Sequence, residues 1–197
     1  MRTPTVLFDL DGTLIETAPD LADTLNTVIA KRGHDPMPEA DVRPFIGHGA
    51  REMIRRALDA RGDREGLSEL DSLLADFLVH YERRIARLSH PFPGLLDAMD
   101  RLAAGGARFA VATNKRERLA RLLLEELGMA ERFAAIAGPD TYGAGKPDPV
   151  FLGGLMADLG ARPEATVMVG DSRTDRDAAR AAGIPVVGVT FGYTDTP

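Results

Sequence analysis

Short apolar runs alternate with helical patterns along most of the chain. The clearest runs end in turn or polar residues and lie at residues 6–8, 108–113, 166–170 and 186–190, with a weaker candidate at 133–138. Between them, apolar residues recur at helical spacing, at Leu95, Leu96, Met99 and Leu102 and again at Leu119, Leu122, Leu123 and Leu127. Because strand–helix–strand units build parallel sheets, the alternation predicts an α/β fold.

One long segment breaks this alternation. Residues 16–89 contain no convincing strand, and helical patterns lie near residues 19–32, 50–61 and 67–88. Prolines and a glycine at 91–94 then return the chain to the α/β pattern. We therefore expect an α/β core built from residues 1–15 and 90–197, with a helical cap built from residues 16–89 inserted after the first strand.

The composition narrows the function classes. Of the 197 residues, 44% are hydrophobic and 27% are charged, which is ordinary for a globular protein. The formal charge of −6 disfavours a nucleic-acid partner, and the absence of cysteine excludes thiolate chemistry. No apolar stretch approaches the length of a membrane span, and a carboxylate soon interrupts the first apolar run, which argues against a signal peptide. We expect a cytoplasmic protein with no membrane partner.

Polar side chains follow four of the predicted strands, at the point where each strand ends. The carboxyl ends of parallel strands meet at one edge of a sheet, where ligands bind in open α/β folds. A single aspartate after a strand is usually a helix cap, but a set of carboxylates, a hydroxyl and an ammonium is hard to explain as capping. The set comprises Asp9, Asp11, Gly12 and Thr13, then Thr113, Asn114 and Lys115, then Lys146, and finally Asp171, Ser172 and Asp175.

The crowding of carboxylates at this edge predicts a cation. Two carboxylates about 4 Å apart repel by roughly 4 kcal/mol at an effective dielectric constant near 20, so Asp9 beside Asp171 requires a compensating charge. Hard oxygen ligands favour Mg²⁺, which readily shares a phosphate group. Lys146 and Thr113, with backbone N–H groups around Gly12 and Asn114, would bind the phosphate oxygens. Such a site suits phosphoryl transfer.

These motifs resemble the four signatures of haloacid dehalogenase superfamily phosphatases. The segment Asp9-Leu10-Asp11-Gly12-Thr13 resembles the first signature, and Thr113-Asn114-Lys115 the second. Lys146 in a Lys-Pro-Asp-Pro segment resembles the third, and Gly170-Asp171-Ser172 with Asp175 the fourth. All four occur in family order. The resemblance implies a Rossmann-like doubly wound parallel sheet with an inserted α-helical cap.

The resemblance also implies a mechanism. Asp9 would attack phosphorus and form an aspartyl-phosphate, and Asp11 would protonate the leaving oxygen and later activate water. Mg²⁺ would be bound by Asp9, the backbone carbonyl of Asp11 and Asp171, with Asp175 supporting the water shell of the metal. The phosphoryl oxygens would be held by Thr113 and Lys146.

Several other functions share parts of this pattern. Dehalogenases of the superfamily lack the second aspartate of the first signature, whereas Asp11 is present here. A signalling receiver module also forms an aspartyl-phosphate without being an enzyme, but receivers have no helical insertion. A sugar-phosphate mutase with the same core and cap is the main enzymatic alternative, and related enzymes act on pyrophosphate or other small phosphates.

The cap should decide which small phosphorylated metabolite is bound. Residues 45–50 resemble a cap loop of phosphoglycolate phosphatases, so 2-phosphoglycolate is the leading substrate. Mutase caps carry an arginine where Ala50 falls, whereas this chain has Arg51 one position later. Candidate substrate-binding residues are Gly12, Asn114, Lys115, Gly47, His48 and Arg43, of which Lys115, Arg43 and His48 are candidates for binding the substrate carboxylate.

The C-terminal end departs from the family pattern. Members usually continue beyond the Phe191-Gly192-Tyr193 turn with another strand and helix, whereas this sequence ends at Pro197. We expect an exposed edge strand there, which would favour self-association into a homo-oligomer.

Overall fold

The computed structural model describes residues 3–193. Its strands are β1 (Thr5–Phe8), β2 (Ile15–Glu16), β3 (His90–Pro91), β4 (Arg108–Ala112), β5 (Ala135–Ala137), β6 (Thr166–Gly170) and β7 (Val186–Gly188). Its α-helices are α1 (Ala18–Ala30), α2 (Glu39–Val42), α3 (Ala50–Asp59), α4 (Arg64–Ser68), α5 (Leu70–Glu82), α6 (Leu95–Ala104), α7 (Glu117–Glu126), α8 (Pro149–Asp158) and α9 (Arg173–Ala181).

Five of the strands form a parallel sheet in the order β5-β4-β1-β6-β7. Strand β1 lies at the centre, and all four of its residues are buried because both faces of the sheet are covered. Phe8 packs into the hydrophobic cluster on one face and Leu7 into the cluster on the other, as the alternation of side chains along a strand requires. The predicted α/β fold with a doubly wound parallel sheet is confirmed.

Helices α1–α5 follow one another between β2 and β3 and pack together. Helix α5 packs against both α1 and α3, and the buried side chains include Leu25, Ile54 and Phe77. Strands β2 and β3 pair antiparallel, with Ile15 opposite Pro91. The pair holds together the segment that enters the helices and the segment that leaves them. Two-residue strands are too short to show a periodic pattern, so the sequence did not predict this pair. The division at residues 16–89 stays a prediction.

The third predicted helix of the cap, at residues 67–88, is wrong at both ends. The chain forms two helices there, α4 and α5, and α4 begins after Asp63, whose carboxylate accepts the N–H of Gly66. Helix α5 ends at Glu82. Further along, the buried carboxylate of Asp20 accepts the N–H groups of Leu88 and Ser89, at 2.9 and 2.8 Å, which are therefore not available to a helix. A contact with a residue so distant in sequence cannot be read from local periodicity.

Strand β7 lies at one edge of the sheet and is two residues shorter than predicted. Val187 on this strand is 54% exposed. Residues 194–197, which follow the Phe191-Gly192-Tyr193 turn, lie outside the described residues. Self-association through this edge stays a prediction. Within residues 3–193, no helix has both the length and the apolar character needed to cross a membrane.

Candidate active site

The turn after β1 carries two buried carboxylates held by different partners. Asp9 accepts the N–H of Leu10 at 2.7 Å and forms an ion pair with Lys146 at 2.8 Å. Asp11 accepts the Thr17 hydroxyl at 2.7 Å and the Lys115 ammonium at 2.9 Å. The two side chains therefore enter the site with separate supports, which permits separate chemical roles.

Gly12 closes this turn with a positive φ of 82°. A Cβ atom at this position would lie 2.7 Å from Oδ2 of Asp171, so a larger residue would displace that carboxylate. The N–H of Gly12 donates to the carbonyl of Ile15 at 3.0 Å. The turn itself uses this donor, and the expectation that backbone N–H groups around Gly12 bind the phosphate stays a prediction.

Three carboxylates from two strand ends meet beside Lys146. Ligand atoms of Asp9, Asp171 and Asp175 lie within 4.8 Å of one another, and all three residues are buried. The ammonium of Lys146 lies 2.8 Å from Asp9 and 2.6 Å from Asp175, and it forms an ion pair with each of them. Asp171 accepts the Thr13 hydroxyl at 3.0 Å and the N–H of Tyr193 at 2.6 Å.

This cluster is short of positive charge. Burial raises the pKa of Asp9 well above its usual value, the nearby Asp175 carboxylate raises it further, and Lys146 opposes both effects. Burial likewise raises the pKa of Asp171. Burial alone would lower the pKa of Lys146, but Asp175 and Asp9 outweigh it and the net shift is upward. Three oxygen-donor groups facing one ammonium fit a divalent cation of the hard, oxygen-preferring kind.

The segment after β4 connects the site to the cap. The Thr113 hydroxyl accepts the N–H of Lys115 at 3.1 Å, which leaves its own proton free to donate. The side-chain amide of Asn114 donates to the carbonyls of Gly47 and Lys146, at 3.1 and 3.2 Å. Asn114 therefore links the cap loop to the loop that carries Lys146.

A cavity of about 270 Å³ lies between the strand ends and the cap. Its floor is formed by the core residues Asp9, Asp11, Thr113, Asn114 and Lys115. The cap contributes mostly apolar side chains, including Leu21, Ile46, Met53, Leu74, Phe77, Leu78 and Tyr81, together with the loop residues Gly47, His48 and Gly49. The cavity is therefore polar at the bottom and largely apolar on the cap side.

Arg43 lies outside this cavity, unlike the other predicted carboxylate-binding candidates, Lys115 and His48. Its guanidinium donates to Glu16 at 2.9 Å and to Glu39 at 2.8 Å, and it lies 5.1 Å from the ring centroid of Tyr193. This corrects the expectation for Arg43, because two carboxylates already neutralise its charge away from the cavity.

Two tyrosines lie in the site region, and the sequence motifs had not assigned a role to either of them. The Tyr193 hydroxyl accepts the N–H groups of Thr17 and Ala18, at 2.7 and 2.9 Å, where the chain enters the cap. Tyr81, on α5, lines the cavity and lies beside Lys115. In the sequence, only the position of Tyr193 after Phe191 and Gly192 pointed to this residue. Tyr81 lies on an apolar helix face, where the sequence pattern does not distinguish it from a core residue.

Comparisons with known proteins agree with this fold. A family model described as haloacid dehalogenase-like hydrolase matches residues 6–189, so the chain belongs to that family and is a hydrolase. The phosphoglycolate phosphatase of Mesorhizobium japonicum is 48% identical over 195 residues, which cover 99% of this chain and 86% of that protein. The phosphoglycolate phosphatase of Agrobacterium fabrum is 43% identical, with 99% and 84% covered.

A solved structure supports the same family resemblance. The crystal structure of a predicted phosphoglycolate phosphatase from Haemophilus somnus 129pt superposes with a TM-score of 0.91 at 30% identity, covering 100% of this chain and 90% of that one. The predicted family resemblance is therefore confirmed.

Proposed function

We propose that this hydrolase is a Mg²⁺-dependent phosphatase that converts 2-phosphoglycolate to glycolate and phosphate. The observation that carries the proposal is the position of Asp9, a buried carboxylate that faces the cavity while Lys146 lies 2.8 Å away. The names of the relatives from Mesorhizobium japonicum and Agrobacterium fabrum support the substrate.

Asp9 is the nucleophile in this proposal. One of its oxygens forms a bond to phosphorus as the bond from phosphorus to the ester oxygen breaks, which gives an aspartyl-phosphate and a glycolate alkoxide. Asp11, in its protonated form, gives its proton to that alkoxide. It then accepts a proton from the water that attacks the aspartyl-phosphate, which releases phosphate and restores Asp9. The bonds from Thr17 and Lys115 hold Asp11 in position for both transfers.

The phosphoryl oxygens need donors that are fixed before the substrate arrives. Lys146 supplies an ammonium that is fully surrounded by the site, and Thr113 supplies a hydroxyl whose proton is not otherwise used. Fixed donors in a site that excludes water stabilise developing charge more strongly than donors in water.

The residues of the carboxylate cluster fit Mg²⁺. Asp9, Asp171 and the backbone carbonyl of Asp11 would hold it, and bound Mg²⁺ would neutralise charge on the transferring phosphoryl group. Both oxygens of Asp175 are already engaged, Oδ1 by Lys146 and Oδ2 by the N–H and hydroxyl of Ser172. This arrangement supports a role for Asp175 in orienting metal-bound water rather than in binding the metal directly.

The test is phosphate release from a panel of phosphate compounds in the presence of Mg²⁺. The panel contains 2-phosphoglycolate, β-glucose 1-phosphate, a nucleoside monophosphate and pyrophosphate, with Asp9→Asn as the inactive variant and the exposed Asp97→Asn as the matched control. We expect kcat/KM for 2-phosphoglycolate to exceed that for every other compound at least tenfold. A higher kcat/KM for any other member of the panel would overturn the proposed substrate.

A further inference from the structure

The hydroxyl of Tyr81 is buried without an acceptor for its proton. Tyr81 is 1% exposed, and within residues 3–193 its hydroxyl proton has no acceptor, while the Lys115 ammonium is a polar neighbour of its oxygen. A buried hydroxyl proton without an acceptor lowers stability, so its presence calls for an explanation. Because the side chain lines the cavity, a bound ligand can supply the missing partner.

The ring of Tyr81 is held in one orientation. It stacks on Phe77 with ring centroids 5.8 Å apart and an interplanar angle of 28°, and the ammonium of Lys115 lies 4.8 Å from its centroid. Burial raises the pKa of Tyr81 to about 12, so the hydroxyl keeps its proton at neutral pH and can donate it. The side chain is thus a fixed, neutral donor beside a cation.

Tyr81 is the single residue with a polar side-chain group that helices α1 and α5 contribute to the cavity lining. The other lining residues from these helices are apolar, namely Leu21, Leu74, Phe77 and Leu78. A substrate group that leaves the phosphate site toward this wall meets hydrocarbon everywhere except at Tyr81. Tyr81 is therefore the residue on this wall that can bind a polar group of the substrate.

Lys115 is a buried cation beside the Tyr81 side chain. An ammonium has three N–H donors, of which one goes to Asp11 at 2.9 Å and another faces the Tyr81 hydroxyl, which leaves a third for a ligand. Two other cations line the cavity, but Arg51 pairs with Asp71 on the surface and Arg116 is exposed. The hydroxyl proton of Tyr81 and the remaining N–H of Lys115 thus lie close to each other and beside Asp11.

We propose that the Tyr81 hydroxyl and the Lys115 ammonium together bind the carboxylate of the substrate, so that Tyr81 selects phosphate esters that carry a carboxylate. The inference rests on the proposed function and adds the residue that would recognise the glycolate part. A carboxylate accepts both donors at once, which satisfies the hydroxyl and keeps the anion paired. Since the hydroxyl is closed to solvent, the substrate reaches it when the cap moves away from the core.

The test compares 2-phosphoglycolate with ethyl phosphate, which has the same two-carbon ester and no carboxylate. In Tyr81→Phe the ring and its packing remain and only the hydroxyl is lost. We expect the ratio of kcat/KM for 2-phosphoglycolate to that for ethyl phosphate to fall at least tenfold, mainly through a higher KM. Tyr142→Phe is the control, because the Tyr142 hydroxyl bonds to Asp158 outside the cavity.

The outcomes separate this inference from the proposed function. If Tyr81→Phe keeps the kcat/KM values of the parent protein for both esters, the inference is wrong and the proposed function stands. If the variant loses activity on both esters in proportion, Tyr81 has a structural role and the inference is again wrong. If the parent protein itself shows no preference for 2-phosphoglycolate over ethyl phosphate, both the proposed substrate and the inference fail.

Discussion

The ammonium of Lys115 lies 2.9 Å from Oδ1 of Asp11, and both side chains are buried. The pair joins the segment after β4 to the turn after β1, so it fixes the acid–base candidate of the site to a neighbouring strand end. Burial alone would lower the pKa of Lys115, but Asp11 and Tyr81 outweigh it and the net shift is upward. Lys115 therefore carries its charge at neutral pH and acts as a permanent support for Asp11.

Removing this ammonium should cost both stability and activity. Lys115→Met leaves the buried carboxylate of Asp11 without its ion pair, which we expect to lower the free energy of unfolding by about 3 kcal/mol. We expect kcat/KM to fall for every phosphate ester, because Asp11 serves all of them. Denaturant unfolding and phosphate release are the measurements.

Lys31→Met is the matched control for this experiment. Lys31 pairs with Asp76 at 2.7 Å, but its side chain is 53% exposed and the pair should contribute less than about 1 kcal/mol. Equal losses of stability in the two variants would contradict the assigned role of burial.

The carboxylate cluster should make the metal-free protein less stable than its charge-reduced variant. Asp9→Asn removes one negative charge from the group that includes Asp171 and Asp175. We expect this variant to melt a few degrees higher than the parent protein in EDTA, while turnover falls about a thousandfold or more because the nucleophile is gone. A lower melting temperature in EDTA would show that the ion pair with Lys146 outweighs the repulsion.

Mg²⁺ should stabilise the parent protein through the same cluster. At a hundredfold excess over the dissociation constant, one bound ion adds about 2.7 kcal/mol to the free energy of unfolding. Thermal unfolding with increasing Mg²⁺ measures this shift, and Asp171→Asn should abolish most of it. Asp97→Asn, on the surface, should respond like the parent protein, and an equal response from Asp171→Asn would argue against a metal at this site.

Asp20 should stabilise the connection from the cap back to the core. Its buried carboxylate accepts the N–H groups of Leu88 and Ser89 and the Ser89 hydroxyl, the last at 2.7 Å. Asp20→Ala leaves these donors unpaired, and we expect a loss of about 2–4 kcal/mol in denaturant unfolding. The exposed Asp35→Ala is the control and should change stability by less than about 0.5 kcal/mol.

The ion-pair network around Asp63 should make the cap sensitive to acid. Arg32 hydrogen bonds lower the pKa of Asp63 most, followed by the N–H of Gly66 and by His34. Because the pKa is lower in the folded state, the stabilisation is present above the usual carboxylate pKa of about 4 and is lost as the pH falls further. Asp63→Asn should therefore melt below the parent protein at pH 7, and the gap should shrink below about pH 4. A gap that does not depend on pH would contradict this origin.

The strand ends were the most predictable part of the molecule. Asp9, Lys146 and Asp171 follow separate strands, and the parallel sheet brings their side chains together as the topology requires. The features that were missed depend on contacts between residues far apart in the chain. Helix α5 ends early and Asp20 takes the N–H groups of residues 88 and 89, and Arg43 turns to Glu16 and Glu39 because the cap brings those carboxylates within reach.

The first helix of the cap depends on a residue that lies far from it in the sequence. Thr17 precedes α1 without capping it through its own side chain, and the N–H groups of Thr17 and Ala18 are accepted by Tyr193, 176 and 175 residues later. During synthesis, α1 and its partner helices leave the ribosome long before Tyr193 does. The junction between cap and core is therefore completed only after Tyr193 has been translated, and a ribosome that stalls earlier would hold a cap with an open helix end.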